Sequence, residues 1–327
     1  MMVAATRLVE GSLGIVRGET LLFVYDATHT AVAEVIIDVT KGLGASVLPF
    51  RLEDLGTRPC TRAPSAVVEA MGKAQASLLL VDFYRGELAM RTEIVELAAS
   101  CKLRHGHMVG VSRASMVGGF SVDPRRIGEQ MRALIVRLRP DARLFVRSRS
   151  GTELTVGLAP HCQWVEYGCI VQAGKRVNLP GGELVTCPVS VDGTYVADGT
   201  LGDADGSLTR SLSGAPITFK IAASRVQSIE CAKEPNLART LSERVHHFAN
   251  LDRVGLVGFG MNIGITGPVG DIFTDQKVPA VHLSFGETFP EKTGALWSAK
   301  SWIAVTSAGN DVDVDKLAVL RSGRYLV

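Results

Sequence analysis

The alternation of hydrophobic and polar positions changes character near Pro140. Before it, short apolar runs alternate with amphipathic stretches, the signature of α/β layers. Residues 21–25 read Leu-Leu-Phe-Val-Tyr and predict a buried strand; residues 30–43 predict the helix that follows, stopped by Gly44 at a C-cap position. Further strands are predicted at 45–49, 78–81 and 107–111. Asp123 and Pro124 then supply an N-cap and a first-turn proline for a helix over 125–138. The expected domain, residues 1–140, is doubly wound and Rossmann- or flavodoxin-like. Its first strand runs into Asp26-Ala27-Thr28-His29, without the Gly-x-Gly-x-x-Gly turn a dinucleotide site needs.

After Pro140 the chain is strand-rich and punctuated by glycine. Strands are predicted at 143–147, 153–158, 168–172, 191–197, 218–221, 225–230, 280–285 and 302–305, with Asp192-Gly193 and Asp205-Gly206 as tight turns. One clear helix is predicted, over 236–248. The pattern implies a mixed, mostly antiparallel α+β domain over residues 141–327. The glycines between Gly255 and Gly270 point to close backbone approach or to a mobile loop.

Composition narrows the function classes. A chain of 327 residues exceeds what one core usually serves, which agrees with two domains. A net charge of +2 gives no electrostatic commitment to nucleic acid or membrane. No apolar run approaches the ~20 residues of a membrane-spanning helix, and the first residues lack a signal-peptide core. Cys60, Cys101, Cys162, Cys169, Cys187 and Cys231 form no Cys-x-x-Cys pair, which fits reduced thiols in the cytoplasm.

The candidate chemistry lies in the second half. Asn178-Leu179-Pro180-Gly181-Gly182-Glu183, Gly258-Phe259-Gly260-Met261-Asn262, Asp275-Gln276-Lys277 and His282-Leu283-Ser284-Phe285-Gly286, in this order, resemble the M29 metallo-aminopeptidases. The resemblance implies a dinuclear metal site whose ligands are the Glu of the Gly-Gly-Glu turn, a Glu before Gly-x-Gly-x-Asn, the Glu of Asp-Glu-Lys, the His of His-x-x-x-Gly, and a final His-Trp-Asp. Only the first and fourth correspond, as Glu183 and His282. The other positions hold Leu256, Gln276, Ser301 and Ile303. A two-metal hydrolytic site needs several anionic or imidazole ligands to hold its cations and acidify the bridging water. One Glu and one His do not meet that need, so neither a metal nor another cofactor is expected, nor any catalytic residue.

Each of these residues also has a plainer role. Glu183 serves equally as a brace for its glycine turn, and His282 as a satisfied core histidine in an apolar strand. His246 and His247 end a helix, where they meet carbonyls. Cys187, four residues past Glu183, is expected to be an inert buried thiol rather than a nucleophile beside His282. Arg91 and Lys300 read as solvated charges.

Three functions follow from the resemblance, in order. The first is a catalytically inactive peptide-binding protein that keeps the M29 cleft, at Gly181, Gly182, Glu183, Phe259, Gly260, Met261, Asn262 and His282. It would suit presentation of a precursor or leader peptide to tailoring enzymes in peptide natural-product biosynthesis. The second is a mononuclear metal enzyme like the dihydroxypyridine dioxygenases of similar fold, although their His-x-Asp reads Ser301-x-Ile303 here. The third is a metal-free hydrolase built on Cys187 and His282. The resemblance also implies a homodimer, and the apolar C-terminal tail Tyr325-Leu326-Val327 agrees with one.

Overall fold

The computed structural model describes residues 1–327, in two compact units: Met1–Ile127 with Tyr167–Gly181, and Gly128–Glu166 with Gly182–Val327. The chain therefore passes between units more than once, where the hydropathy pattern suggests a single boundary at 140. The return segment 167–181 is short and mixed in polarity, so its membership is settled by packing and leaves no periodic signal.

In the first unit five strands form a parallel sheet in the order Ser46–Arg51, Thr20–Tyr25, Ala76–Val81, Arg104–Val109, Arg176–Asn178. Helices cover both faces, so the central strands are apolar on both sides rather than alternating. Leu21, Phe23, Leu78 and Leu80 enter one buried cluster with the N-terminal helix Met2–Thr6, its π-helical continuation Arg7–Ser12, and Thr30–Gly42. Leu22, Val24, Leu79 and Val81 face the opposite way, against Ser65–Met71 and Leu88–Ser100. The expected doubly wound architecture is present, with Gly44 at φ +80° just past the helix Thr30–Gly42. The helix Leu88–Ser100 was not legible from periodicity because its apolar positions do not gather on one stripe.

The second unit holds an eight-stranded and a seven-stranded sheet. Five neighbours in the latter carry the candidate site, in the order Thr200–Asp203, Trp302–Val305, Val281–Gly286, Val254–Gly260, Glu183–Thr186, all paired antiparallel. Most strands expected from the sequence are present, as is the helix Pro235–Val245.

Two expectations are corrected, and one left with two alternatives is resolved. Residues 168–172 form no strand; Gly168 and Cys169 instead lie so close to Gly181 that a β-carbon there would strike the Gly168 carbonyl. Asp192-Gly193 is not a turn but the middle of the strand Ser190–Ala197, with Gly193 at φ +126° beneath the Glu153 carbonyl of the neighbouring strand. A glycine there satisfies a close approach that no other residue tolerates. Of the two readings of the glycines from Gly255, close approach is the one that holds as far as Gly260: Val254–Gly260 is a fully buried central strand, and β-carbons at Gly255, Gly258 and Gly260 would strike neighbouring atoms.

Candidate functional site

Glu183 opens its strand opposite Gly260, and His282 lies opposite Gly258 on the other side of the same central strand. Side chains two residues apart share a sheet face, so Glu183 and His282 flank a stripe from which Gly258 and Gly260 have removed the side chains. Across that gap the two groups meet: His282 Nε2 donates to Glu183 Oε1 at 2.9 Å. A β-carbon at Gly258 would overlap the imidazole itself. The absent side chain at Gly258 is the space the ring occupies.

Gly260 has a different duty. A β-carbon there would collide with the backbone of Lys277 and Val278, which runs against the central strand through bonds from Asn262 N to Lys277 O (3.0 Å) and Gly260 N to Ala280 O (2.9 Å). This close approach delivers Lys277, whose ammonium donates to Glu183 Oε2. Lys277, Glu183 and His282 are all at least nine-tenths buried. Burial alone would raise the Glu183 pKa; the Lys277 charge and the His282 hydrogen bond outweigh it and bring it from 4.5 down to about 2. Glu183 is thus a carboxylate with one donor on each oxygen. With its Nε2 proton committed to Glu183, His282 presents Nδ1 as a buried atom with no partner.

Lys277 is the residue of this cluster that sequence reasoning passed over. Its place in Asp275-Gln276-Lys277 was visible, but only tertiary packing shows it beside a glutamate 94 positions away. Asp275 is structural: its carboxylate accepts from Val269 N (2.8 Å), Gly270 N (2.9 Å) and the Thr200 hydroxyl. Gln276 is only half-buried. Tyr325, too, was read only as tail; its hydroxyl donates to the Gly260 carbonyl at 2.6 Å, pinning the C-terminus to the site strand.

The other expected site residues divide. Gly182 accepts from Met261 N at 2.8 Å. Asn262 is fully buried and its Oδ1 accepts from Gly264 N at 3.1 Å, so that oxygen shapes a turn. Phe259 faces away from Glu183, with its ring 5.8 Å from that of Trp164, and Met261 is fully buried. Gly181 belongs to the first unit and serves the Gly168 contact described above. Cys187 lies just past the end of its strand, with its Sγ 3.8 Å from the Pro188 carbonyl, and burial pushes its thiol up to about 11, which opposes nucleophilic use near neutrality. Arg91 is not solvated as expected but buried, on Leu88–Ser100. Lys300 is exposed.

The donor set does not fit a dinuclear metal centre. Leu256 is buried on the same strand face as Gly258, and Ile303 is buried between Asp203 and Phe285. Ser301 offers its carbonyl to Glu287 N at 3.1 Å. Both oxygens of the remaining carboxylate are bonded, one of them to a fixed ammonium.

A cavity of about 860 Å³ in the same unit is walled partly by Ile263, Ile265, Thr266, Val278 and Pro279, the chain continuations of Asn262 and Lys277. Because Gly260 faces backbone and not this cavity, a bulky residue there breaks the strand rather than blocks a ligand. We expect even Gly260→Ala to cost ~1–3 kcal/mol, read as a lower denaturation midpoint at unchanged slope; an unshifted midpoint would contradict the packing described.

No protein-family model matches the chain, and no curated protein matches it. Solved structures do. Wild-type AmpT from Thermus thermophilus superposes with TM-score 0.65 at 17% identity, covering 100% of this chain and 98% of that one. The 2,5-dihydroxypyridine dioxygenase from Pseudomonas putida KT2440 gives 0.64 at 14% identity, covering 100% and 97%. The fold is M29-like. At these identities the likeness concerns architecture, and chemistry must be argued from the side chains.

Proposed function

We propose that this protein binds a peptide without hydrolysing it, on an M29-like scaffold whose metal centre is replaced by a buried Lys277–Glu183–His282 ion cluster. The observation that carries this reading is the Lys277 ammonium bonded to the one retained carboxylate. An internal cation neutralises Glu183 permanently, which removes the electrostatic reason for a divalent metal to bind there. The cavity beside Ile263 and Val278 is large enough for a few residues of extended chain, and strand-like backbone pairing needs no metal. A precursor or leader peptide presented to tailoring enzymes is the class of ligand we favour, and a homodimer the assembly.

The dioxygenase reading has the fold likeness in its favour and the buried Ile303 against it. A Cys187 nucleophile is opposed by its raised pKa.

Three measurements test the proposal. Purified protein should release no amino acid from arylamides or peptides with zinc, cobalt or manganese added; robust metal-stimulated cleavage would refute it. Thr266, an exposed residue at the cavity wall, offers a better probe than Gly260. Thr266→Trp should weaken binding of a precursor peptide that the wild-type protein binds at least ~tenfold, the worth of about 1.4 kcal/mol, at unchanged thermal stability. Equal affinity would place the ligand elsewhere. Light scattering should give about twice the 34.9 kDa chain mass.

A further inference from the structure

The first unit buries an arginine to which no carboxylate is bonded. Arg91, in the first turn of Leu88–Ser100, is 8% exposed, yet its guanidinium makes no hydrogen bond or ion pair to another residue; it lies over the Phe83 ring, 5.2 Å from the centroid. Buried charges are ordinarily paired, and the other inward-facing arginines of this unit obey. Arg58 reaches Glu87, Asp26 and Glu53, and Arg104 reaches Glu19 and the Leu13 carbonyl. Glu87, one helical turn before Arg91, is already held on both oxygens by Arg58 and on one by Cys60 N. It has little left to offer.

The sheet beneath adds donors. The parallel register sets Ser77, His105 and Arg176 in one row and Leu79, His107 and Asn178 in the next on the same face. Ser77 Oγ and His105 Nδ1 are 2.8 Å apart, and His105 Nε2 and His107 Nδ1 are 3.3 Å apart. This chain of bonds has two polarities. If Ser77 donates, His105 donates onward and His107 must carry its proton on Nε2, presenting an N–H at the open end. Arg176, at the start of its edge strand, is exposed and has no ion pair. Both imidazoles are held neutral: burial brings His105 to about 3, and burial, His105, Arg176 and Arg91 hold His107 well below its ordinary value. Glu87, Arg58, His107 and Arg176 all lie within electrostatic reach of Arg91.

We propose that Arg91, Arg176 and His107 form a binding site for a small oxyanion, a phosphate or carboxylate group, independent of the peptide reading at Glu183. The anion would give Arg91 the partner it lacks, take a forked guanidinium contact, and select the polarity in which His107 donates from Nε2.

The test uses full-length protein with 15N-labelled histidine, titrated with inorganic phosphate and separately with acetate at constant ionic strength, the ring nitrogens being observed by NMR. Saturable shifts of the His107 nitrogens, toward the tautomer protonated at Nε2, are expected, with the tighter of the two anions identifying the class. Arg91→Gln should weaken that response at least ~tenfold. Arg176→Gln, at an exposed position that tolerates change, should weaken it independently should Arg91→Gln fail to fold. No saturable His107 response to either anion overturns the proposal, as does an undiminished response in Arg176→Gln together with folded Arg91→Gln.

Discussion

Glu183→Ala should be among the most destabilising single substitutions in the second unit, by ~3–5 kcal/mol, because it strands the buried Lys277 ammonium and leaves His282 Nε2 without its acceptor. The loss should be read by chemical denaturation with the unfolding slope checked against wild type. Lys277→Met placed on top of Glu183→Ala should recover much of it, since removing both charges avoids the unpaired ion. A metal-ligand glutamate would behave differently: its removal relieves repulsion among acidic ligands in the metal-free protein and stabilises it. A stabilised Glu183→Ala variant would therefore overturn the ion-cluster reading.

The same carboxylate sets an acid limit. Its folded pKa is about 2, below the ordinary 4.5. A depressed carboxylate contributes stability fully above its unfolded value and loses it as pH falls through the folded one. The Glu183 contribution should thus be intact at neutrality and disappear between about pH 4.5 and 2, and Glu183→Ala should have a flatter stability profile than wild type across that window.

Asp26→Asn should act as strongly on the first unit, again by ~3–5 kcal/mol. Asp26 is fully buried at the end of the first strand and collects four donors: Arg58 at 3.0 Å, His29 Nδ1 at 2.6 Å, His29 N at 3.3 Å and Asp82 N at 2.6 Å. His29 has an acceptor on each side, Asp26 at Nδ1 and the Val111 carbonyl at 3.2 Å from Nε2, so its satisfied form is the imidazolium. Burial disfavours that charge, but the Asp26 bond and charge prevail and raise the His29 pKa. The asparagine amide would leave Arg58 and His29 as neighbouring cations with no charge between them. Sign and window follow from linkage. The raised His29 contributes stability below about 6.5 and loses it as pH rises through its folded value. Asp26, brought down to about 2 against the pull of burial, contributes above about 3.8 and loses it toward 2. Wild-type stability should therefore fall at both ends, and Asp26→Asn should remove the His29 limb and the Asp26 share of the acid limb, leaving the share that belongs to Glu183. A neutral effect of Asp26→Asn at pH 7 would contradict the buried network.

How much of this was legible beforehand differs by element. The strand at Thr20–Tyr25 and helix at Thr30–Gly42 were readable because continuous apolar runs and 3.6-residue periodicity are local properties. The resemblance carried by motif order also grouped Glu183, Gly258, Gly260 and His282, and put Leu256, Gln276, Ser301 and Ile303 where it implies metal ligands. Arg91 and Asp192-Gly193 were misread for one reason. Charge and turn propensity are averages over environments, whereas an arginine under an aromatic ring and a glycine beneath a neighbouring carbonyl answer to contacts far away in sequence. What only tertiary structure decided is the electrostatic partner of each buried charge: that Lys277 neutralises Glu183, that Arg58 takes Glu87, and that Arg91 is left over. Coulombic pairing depends on distance in space and on desolvation, and neither quantity is written in the order of residues.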